Sequence, residues 1–383
     1  MTNPLLSLAD AGQSVWLDYL HRKILEDGEL RRLVEEDGLK GLTSNPSIFE
    51  KAIGDGDAYD PTIRELLGKG DLQGPALYER IAIADIQRAA DLFRPTYDRL
   101  GGRDGYVSLE VSPGNALDTN ATIEEARRLW TTVDRPNLMI KVPGTEAGGP
   151  AIRQLVGEGI NVNVTLLFGL DAYLAVAEAH MAGLEACRAA GGNVARVHGV
   201  ASFFVSRIDT VIDKAIDARL ATAVGDEAQR LRRLRGKVAI ANAKTAYQHY
   251  LQMIASPRWQ ALAAAGAAPQ RLLWASTGTK DPAYSDVLYV ETLIGPDTVN
   301  TMPPKTLDAF RDHGRVRPTL AEDVDGAKKI LAETEALGLD LRGVTDSLVK
   351  DGVAQFAKAF DDLLAAVNGK RAQFQTAPRA ASR

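Results

Sequence analysis

Residues 138–167 read LMIKVPGTEAGGPAIRQLVGEGINVNVTLL. An aliphatic run at 138–143 passes through a segment of helical composition into a second β-rich run at 160–167, the pattern of two parallel strands joined by a crossover helix. Runs of the same kind occur on either side, at 14–20, 41–45, 106–111, 197–206, 271–277 and 298–302, each followed by a long helical segment. Eight such units predict an α/β fold closed as a (β/α)8 barrel of the TIM type rather than an open doubly wound sheet.

The barrel is read as one domain over 1–367. Helical stretches at 222–255 and 259–265 exceed the single helix that a minimal unit needs, so 222–265 is read as an insertion between strands six and seven. From Asn368-Gly369-Lys370-Arg371 to the Ala/Arg/Ser-rich end, 368–383 is read as a flexible tail. After strand five, Asp171 is expected to cap a helix whose Leu174, Ala177, Met181 and Leu184 recur at steps of three and four and would face the sheet.

Composition excludes several classes. The 383 residues are 45% hydrophobic and 25% charged, with 45 Lys and Arg against 50 Asp and Glu, a net charge of −5. This is a globular balance with no nucleic-acid footprint. No run approaches the ~18 apolar residues of a membrane span, and Met1-Thr2-Asn3-Pro4 begins no secretory leader, so no membrane partner and a cytoplasmic location are expected. A single cysteine, Cys187, gives no disulfide and no thiolate cage, and is expected to serve packing. His21, His180, His198, His249 and His313 are scattered without an HExxH, so no metal is expected. Neither a Walker A pattern nor a GxGxxG between strand and helix occurs, so no nucleotide cofactor is expected either.

The informative residues break the apolar pattern of the strands, because a buried polar group is costly unless it is paired or used. Lys141 sits among aliphatic neighbours near the end of strand four. Desolvation there would favour the neutral, nucleophilic amine, and the plainer alternative is a lysine snorkelling at the strand end. In strand three Ser108 and Glu110 share one face, and Glu110 reads as a catalytic carboxylate or as an ion-pair partner. In strand five Asn161, Asn163 and Thr165 share one parity and Val162, Val164 and Leu166 the other. That gives a wet face suited to a polyhydroxylated ligand, or a structural polar layer. Asp18 ends strand one as a base or a cap. Pro46 holds Asn45 extended at the end of strand two, as a plain turn would also do. Ser202 and Arg207 on strand six, with Ser276 and Lys280 after strand seven, form a candidate phosphate site, the alternative for Lys280 being solvated surface charge.

Together these residues resemble the transaldolase family. Thr43-Ser44-Asn45-Pro46-Ser47 is similar to its Asn-Pro signature, Ile140-Lys141-Val142-Pro143-Gly144-Thr145-Glu146-Ala147-Gly148 to the signature around its Schiff-base lysine, and Asn163-Val164-Thr165-Leu166-Leu167-Phe168 to the strand that follows. The resemblance runs, with gaps, from about Asp18 to near residue 365. It implies a cofactor-free transferase of the pentose phosphate pathway that moves a dihydroxyacetone unit from fructose 6-phosphate or sedoheptulose 7-phosphate to an aldose phosphate such as glyceraldehyde 3-phosphate or erythrose 4-phosphate.

By the same resemblance Lys141 forms the Schiff base and Asp18 takes the C4 hydroxyl proton. Glu110 with Thr165 moves protons through a water, Asn45 and Asn163 hold the hydroxyls of the three-carbon unit, and Ser202 and Arg207 serve the phosphate. Related barrels are often dimers, so a homodimer is an expectation of the resemblance. Two positions depart from the family pattern. Gly278 stands where many members carry a phosphate-binding arginine, which makes Lys280 the expected substitute, and Phe203 stands where many carry proline. With the insertion, these features point to a long bacterial-type subgroup. The rival readings are a fructose-6-phosphate aldolase that releases free dihydroxyacetone, a non-catalytic sugar-phosphate-binding barrel, and, weaker for want of clustered histidines, a metal-dependent aldolase.

Overall fold

Short runs rich in Val, Ile and Leu, each too brief to stand alone, bury both faces by closing on one another. In the computed structural model, which describes residues 3–54 and 56–376, the strands are β1 (Gln13–Asp18), β2 (Gly41–Thr43), β3 (Tyr106–Glu110), β4 (Leu138–Pro143), β5 (Val162–Leu167), β6 (Gly199–Phe204), β7 (Arg271–Ala275) and β8 (Thr298–Met302). They pair in parallel in sequence order, and β8 returns to β1 through Gln13 opposite Thr298 and Trp16 opposite Thr301. The fold is a (β/α)8 barrel.

Trp16 is fully buried, and its Cα partner on β2 is Gly41. A Cβ at Gly41 would lie 2.4 Å from Trp16 Cε2, so only glycine lets the indole fill the barrel there. At the end of the barrel remote from Lys141, Trp16 Nε1 donates to Asp104 Oδ1 at 2.7 Å and Arg271 Nη1 donates to Ser14 Oγ at 2.9 Å, which pairs charges that would otherwise be orphaned. Arg271 and Asp104 also meet at 3.3 Å.

The helix after β5 spans Leu170–Ala189 and starts at an extended Gly169, so Asp171 lies in its first turn and not at the cap, where it still complements the helix dipole. Its buried stripe contains Tyr173, Ala177, His180, Met181 and Leu184. Leu174 was expected in that stripe and is 40% exposed, because the stripe follows the turn through Tyr173. Cys187 is buried on the same helix. Three helices, Gly225–Leu234, Val238–Ile254 and Pro257–Ala263, occupy the region 222–265.

The last helix, Leu341–Thr376, is longer than the sequence implied and continues beyond Val367 through the start of the expected tail. Lys370 Nζ donates to Asp60 and to the Gly56 carbonyl, and Arg371 pairs with Asp71 at 2.7 Å, which holds this segment against the body. Residues 377–383 lie outside the described residues. Among the described residues no helix is long and apolar enough to cross a membrane.

Candidate active site

Register places the polar residues of neighbouring strands side by side at one end of the barrel. Glu110 is the Cα partner of Lys141, Lys141 of Asn163, and Pro143 of Thr165. Asp18 is the partner of Thr43, and Thr43 of Ser108. Between β5 and β6 the register shifts at Val164–Leu167, where Leu166 takes a φ of +62°, an irregularity in the strand that carries Thr165.

Lys141 is 4% exposed. Its Nζ lies 3.2 Å from Glu110 Oε2, donates to the Ser44 carbonyl at 3.1 Å, and stands 5.7 Å from the centre of the Phe356 ring. Burial pushes the Glu110 carboxyl above its ordinary range, the Lys141 cation pulls it back, and the Asp18 charge adds to the rise. Beyond that ion pair neither oxygen of Glu110 has a hydrogen-bond partner among the described residues, and Thr165 Oγ1 is buried in the same condition. Buried groups in that condition, Thr165 in the wall of a cavity and Glu110 behind Lys141, have capacity left to engage a ligand or a water.

A cavity of about 200 Å³ opens over the amine. It brings together eight of the residues singled out in the sequence: Asp18, Asn45, Lys141, Thr165, Ser202, Arg207, Ser276 and Lys280. Asp18 Oδ1 accepts from Thr43 Oγ1 at 2.6 Å, and Thr43 Oγ1 is 2.8 Å from Thr301 Oγ1. Asn45 Oδ1 accepts from the Ile48 amide at 3.0 Å, which caps the helix Pro46–Gly54 and fixes the side chain at the rim. Arg207 Nη1 donates to Gln355 Oε1 at 3.2 Å and its guanidinium sits 5.2 Å from the centre of the Phe204 ring. Burial pushes that guanidinium down from its ordinary value, with the Asp18 carboxylate opposing. Ser276, at a φ of +56°, shares a 3.0 Å hydrogen bond with Ser206.

The other two lie behind this wall. Glu110 reaches the site through Lys141. Asn163 is fully buried, with Nδ2 donating to Ser108 Oγ at 2.9 Å and Oδ1 accepting from Ser202 Oγ at 2.7 Å. Both ends of its amide are engaged, so it orders Ser108 and Ser202. A second cavity of about 220 Å³ lies on the far side of Glu110 and Asn45, against Phe49, Tyr78 and Phe360, and does not include the amine.

Several lining residues were not singled out in the sequence. Thr43 and Phe204 share strand parity with chemistry already noted, next to Asp18 across the sheet and two residues from Ser202, and that parity was the available signal. Phe356 comes from the last helix, and nothing local announces it. Phe203, on the opposite face of β6, meets Trp274 at 6.2 Å and Tyr173 at 6.5 Å edge to face, so an aromatic residue there fills the space between strand and helix. Gly278 lines the cavity, and a Cβ on it would lie 3.0 Å from Thr306 Oγ1 and 3.3 Å from Pro303 Cγ. A longer side chain is tightly received there, whereas Lys280 enters from two residues on.

Comparison with known proteins gives a consistent result. The family model described as Transaldolase/Fructose-6-phosphate aldolase matches residues 15–367. "Transaldolase 2" of Nostoc sp. (strain PCC 7120) is 49% identical over 372 residues, covering 96% of this chain and 97% of the relative. "Transaldolase" of Thermobifida fusca is 49% identical over 365 residues, 95% of this chain and 97% of the relative. "Transaldolase 1" of Streptomyces coelicolor is 50% identical over 364 residues, 95% and 93% respectively.

Proposed function

The chain belongs to the transaldolase/fructose-6-phosphate aldolase family, and from that premise we propose that it is a transaldolase working through a Schiff base on Lys141. The observation that carries this reading is a buried amine that faces a cavity with two cations, Arg207 and Lys280, in its walls and stands 3.2 Å from a carboxylate with no other polar partner among the described residues.

In this reading a ketose phosphate enters with its phosphate toward Arg207, Lys280 and Ser276. The Lys141 nitrogen, relieved of a proton by Glu110, adds to the C2 carbonyl, and loss of water leaves an iminium ion. A carboxyl that burial has pushed upward is suited to hold that proton and return it to the departing hydroxyl, with Thr165 ordering the water between them. Asp18, fixed by Thr43, takes the C4 hydroxyl proton. The C3–C4 bond then breaks, its electron pair moves into the iminium to form an enamine, and an aldose phosphate leaves. Asn45 at the rim, and Ser202 oriented by Asn163, hold the hydroxyls of the retained three-carbon unit. An acceptor aldose phosphate takes that unit by the reverse sequence, as the non-oxidative pentose phosphate pathway requires.

Product analysis tests the transfer. With fructose 6-phosphate alone no free dihydroxyacetone accumulates, and addition of erythrose 4-phosphate yields sedoheptulose 7-phosphate and glyceraldehyde 3-phosphate. Steady release of free dihydroxyacetone without an acceptor would make the enzyme a fructose-6-phosphate aldolase instead.

A further inference from the structure

Lys280 lies on the connection between β7 and β8, which returns through Asp281, Tyr284 and Tyr289. The connection is held by the insertion and by the helix Ser206–Leu220, whose first turn carries Arg207. Tyr284 Oη donates to Asp213 Oδ2 at 2.7 Å, and Asp213 Oδ1 accepts from the Gly236 amide at 3.1 Å. Arg235 Nη2 donates to Asp281 Oδ2 at 3.0 Å, with its guanidinium 5.8 Å from the centre of the Tyr284 ring. Gly236 has a φ of +67°, and a Cβ on it would lie 2.8 Å from Tyr284 Cζ, so both its conformation and its emptiness are needed for the ring to dock. One turn earlier Asp209 repeats the pattern, accepting from the Ala239 amide at 2.8 Å and from Tyr289 Oη at 2.9 Å.

Asp209 and Asp213 therefore link one helix to two partners at once: the start of the insertion helix Val238–Ile254 and the tyrosines of the Lys280 connection. Arg207 and Lys280 reach the cavity from different elements, and a phosphate held between two cations binds more tightly when their separation is fixed beforehand, because less ordering is left to be done on binding. We propose that Asp213, Arg235, Gly236 and Tyr284 form a latch that fixes Lys280 relative to Arg207, so that the insertion serves as a positioning device for the substrate phosphate. This rests on the reading of Lys280 as a phosphate ligand. Tyr284 and Arg235 do not line the cavity, and they act through the loop.

The test compares Tyr284→Phe, Lys280→Ala and the double variant. Each is measured for the KM of fructose 6-phosphate, for competitive inhibition by inorganic phosphate, and for half-saturation of borohydride trapping by dihydroxyacetone, which carries no phosphate. Tyr284→Phe should raise the KM and weaken phosphate inhibition about two- to tenfold, the range of one lost hydrogen bond. Trapping by dihydroxyacetone should be unchanged, and Tyr284→Phe should add nothing in the Lys280→Ala background. If Lys280→Ala shows the phosphate loss and Tyr284→Phe does not, or if the two effects simply add, the latch is wrong while the phosphate ligand stands. If Lys280→Ala leaves both phosphate measures unchanged, the ligand reading and the latch fall together. A lower melting temperature in Tyr284→Phe with all three measures unchanged also overturns the latch.

Discussion

Glu110 and Lys141 meet because they are cross-strand partners, and their pairing has a chemical use because each is shielded from water. Taking one charge from such a buried pair leaves the other uncompensated. Asp18 stands apart at the cavity edge, with Thr43 holding one of its oxygens. The roles therefore separate by variant. Asp18→Asn keeps the shape and the Thr43 contact but cannot take a proton, so the Lys141 adduct should still form while turnover falls by about 10²–10⁴-fold, the usual weight of a general base. Single-turnover kinetics with trapping check this, and unchanged cleavage would remove Asp18 from the base role. At this scale the sequence was readable because a charge inside an aliphatic strand needs a reason, and Lys141, Glu110 and Asp18 are such charges. Asn163 was visible as polar, but its engagement with Ser108 and Ser202 depends on side chains from two other strands. Parity along one strand cannot show that.

Helix packing sets the pH response. His180 lies on the buried stripe of the helix Leu170–Ala189, and neither ring nitrogen has a hydrogen-bond partner among the described residues. Burial pushes it down to about 3, and His198 to about 4. A histidine with a folded-state value below the unfolded 6.5 contributes stability that is whole above pH 6.5 and is lost as pH falls toward the folded value, because the unfolded chain takes up the proton first. His180→Leu removes this term. In urea titrations the variant should gain on the parent by up to about 1.4 kcal/mol per pH unit below pH 6.5. A constant difference from pH 7.5 to pH 5 would contradict the assignment. The strands were legible from their aliphatic runs and period-two parity, whereas helix detail was less so. Whether Leu174 or Tyr173 faces the sheet depends on where the helix begins. The extent of the last helix past Val367 depends on docking contacts through Lys370 and Arg371 that span the whole chain.

For the whole molecule, closure of the sheet brings residues from every strand but β3 to one mouth, and the last helix lays Phe356 and Gln355 across it. Closure itself was legible as eight repeated units. The return of residue 356 to the lysine was not, because no local pattern encodes so long a reach. The site has two ends, an amine end built on strands and a phosphate end built on the first turn of the helix Ser206–Leu220 and the loop after β7. Arg207→Ala should therefore cost phosphate binding and spare Schiff-base formation, raising the KM for fructose 6-phosphate while trapping by dihydroxyacetone persists. Equal loss in both assays would show that the two ends do not act separately.

Transfer at this site turns on a covalent bond to Lys141. Borohydride reduction in the presence of fructose 6-phosphate, followed by intact and peptide mass spectrometry, reads it directly. One dihydroxyacetone-sized adduct is expected, located on Lys141 and absent from Lys141→Ala. An adduct on another residue, or none while the sugar phosphate is shown to bind, would contradict it.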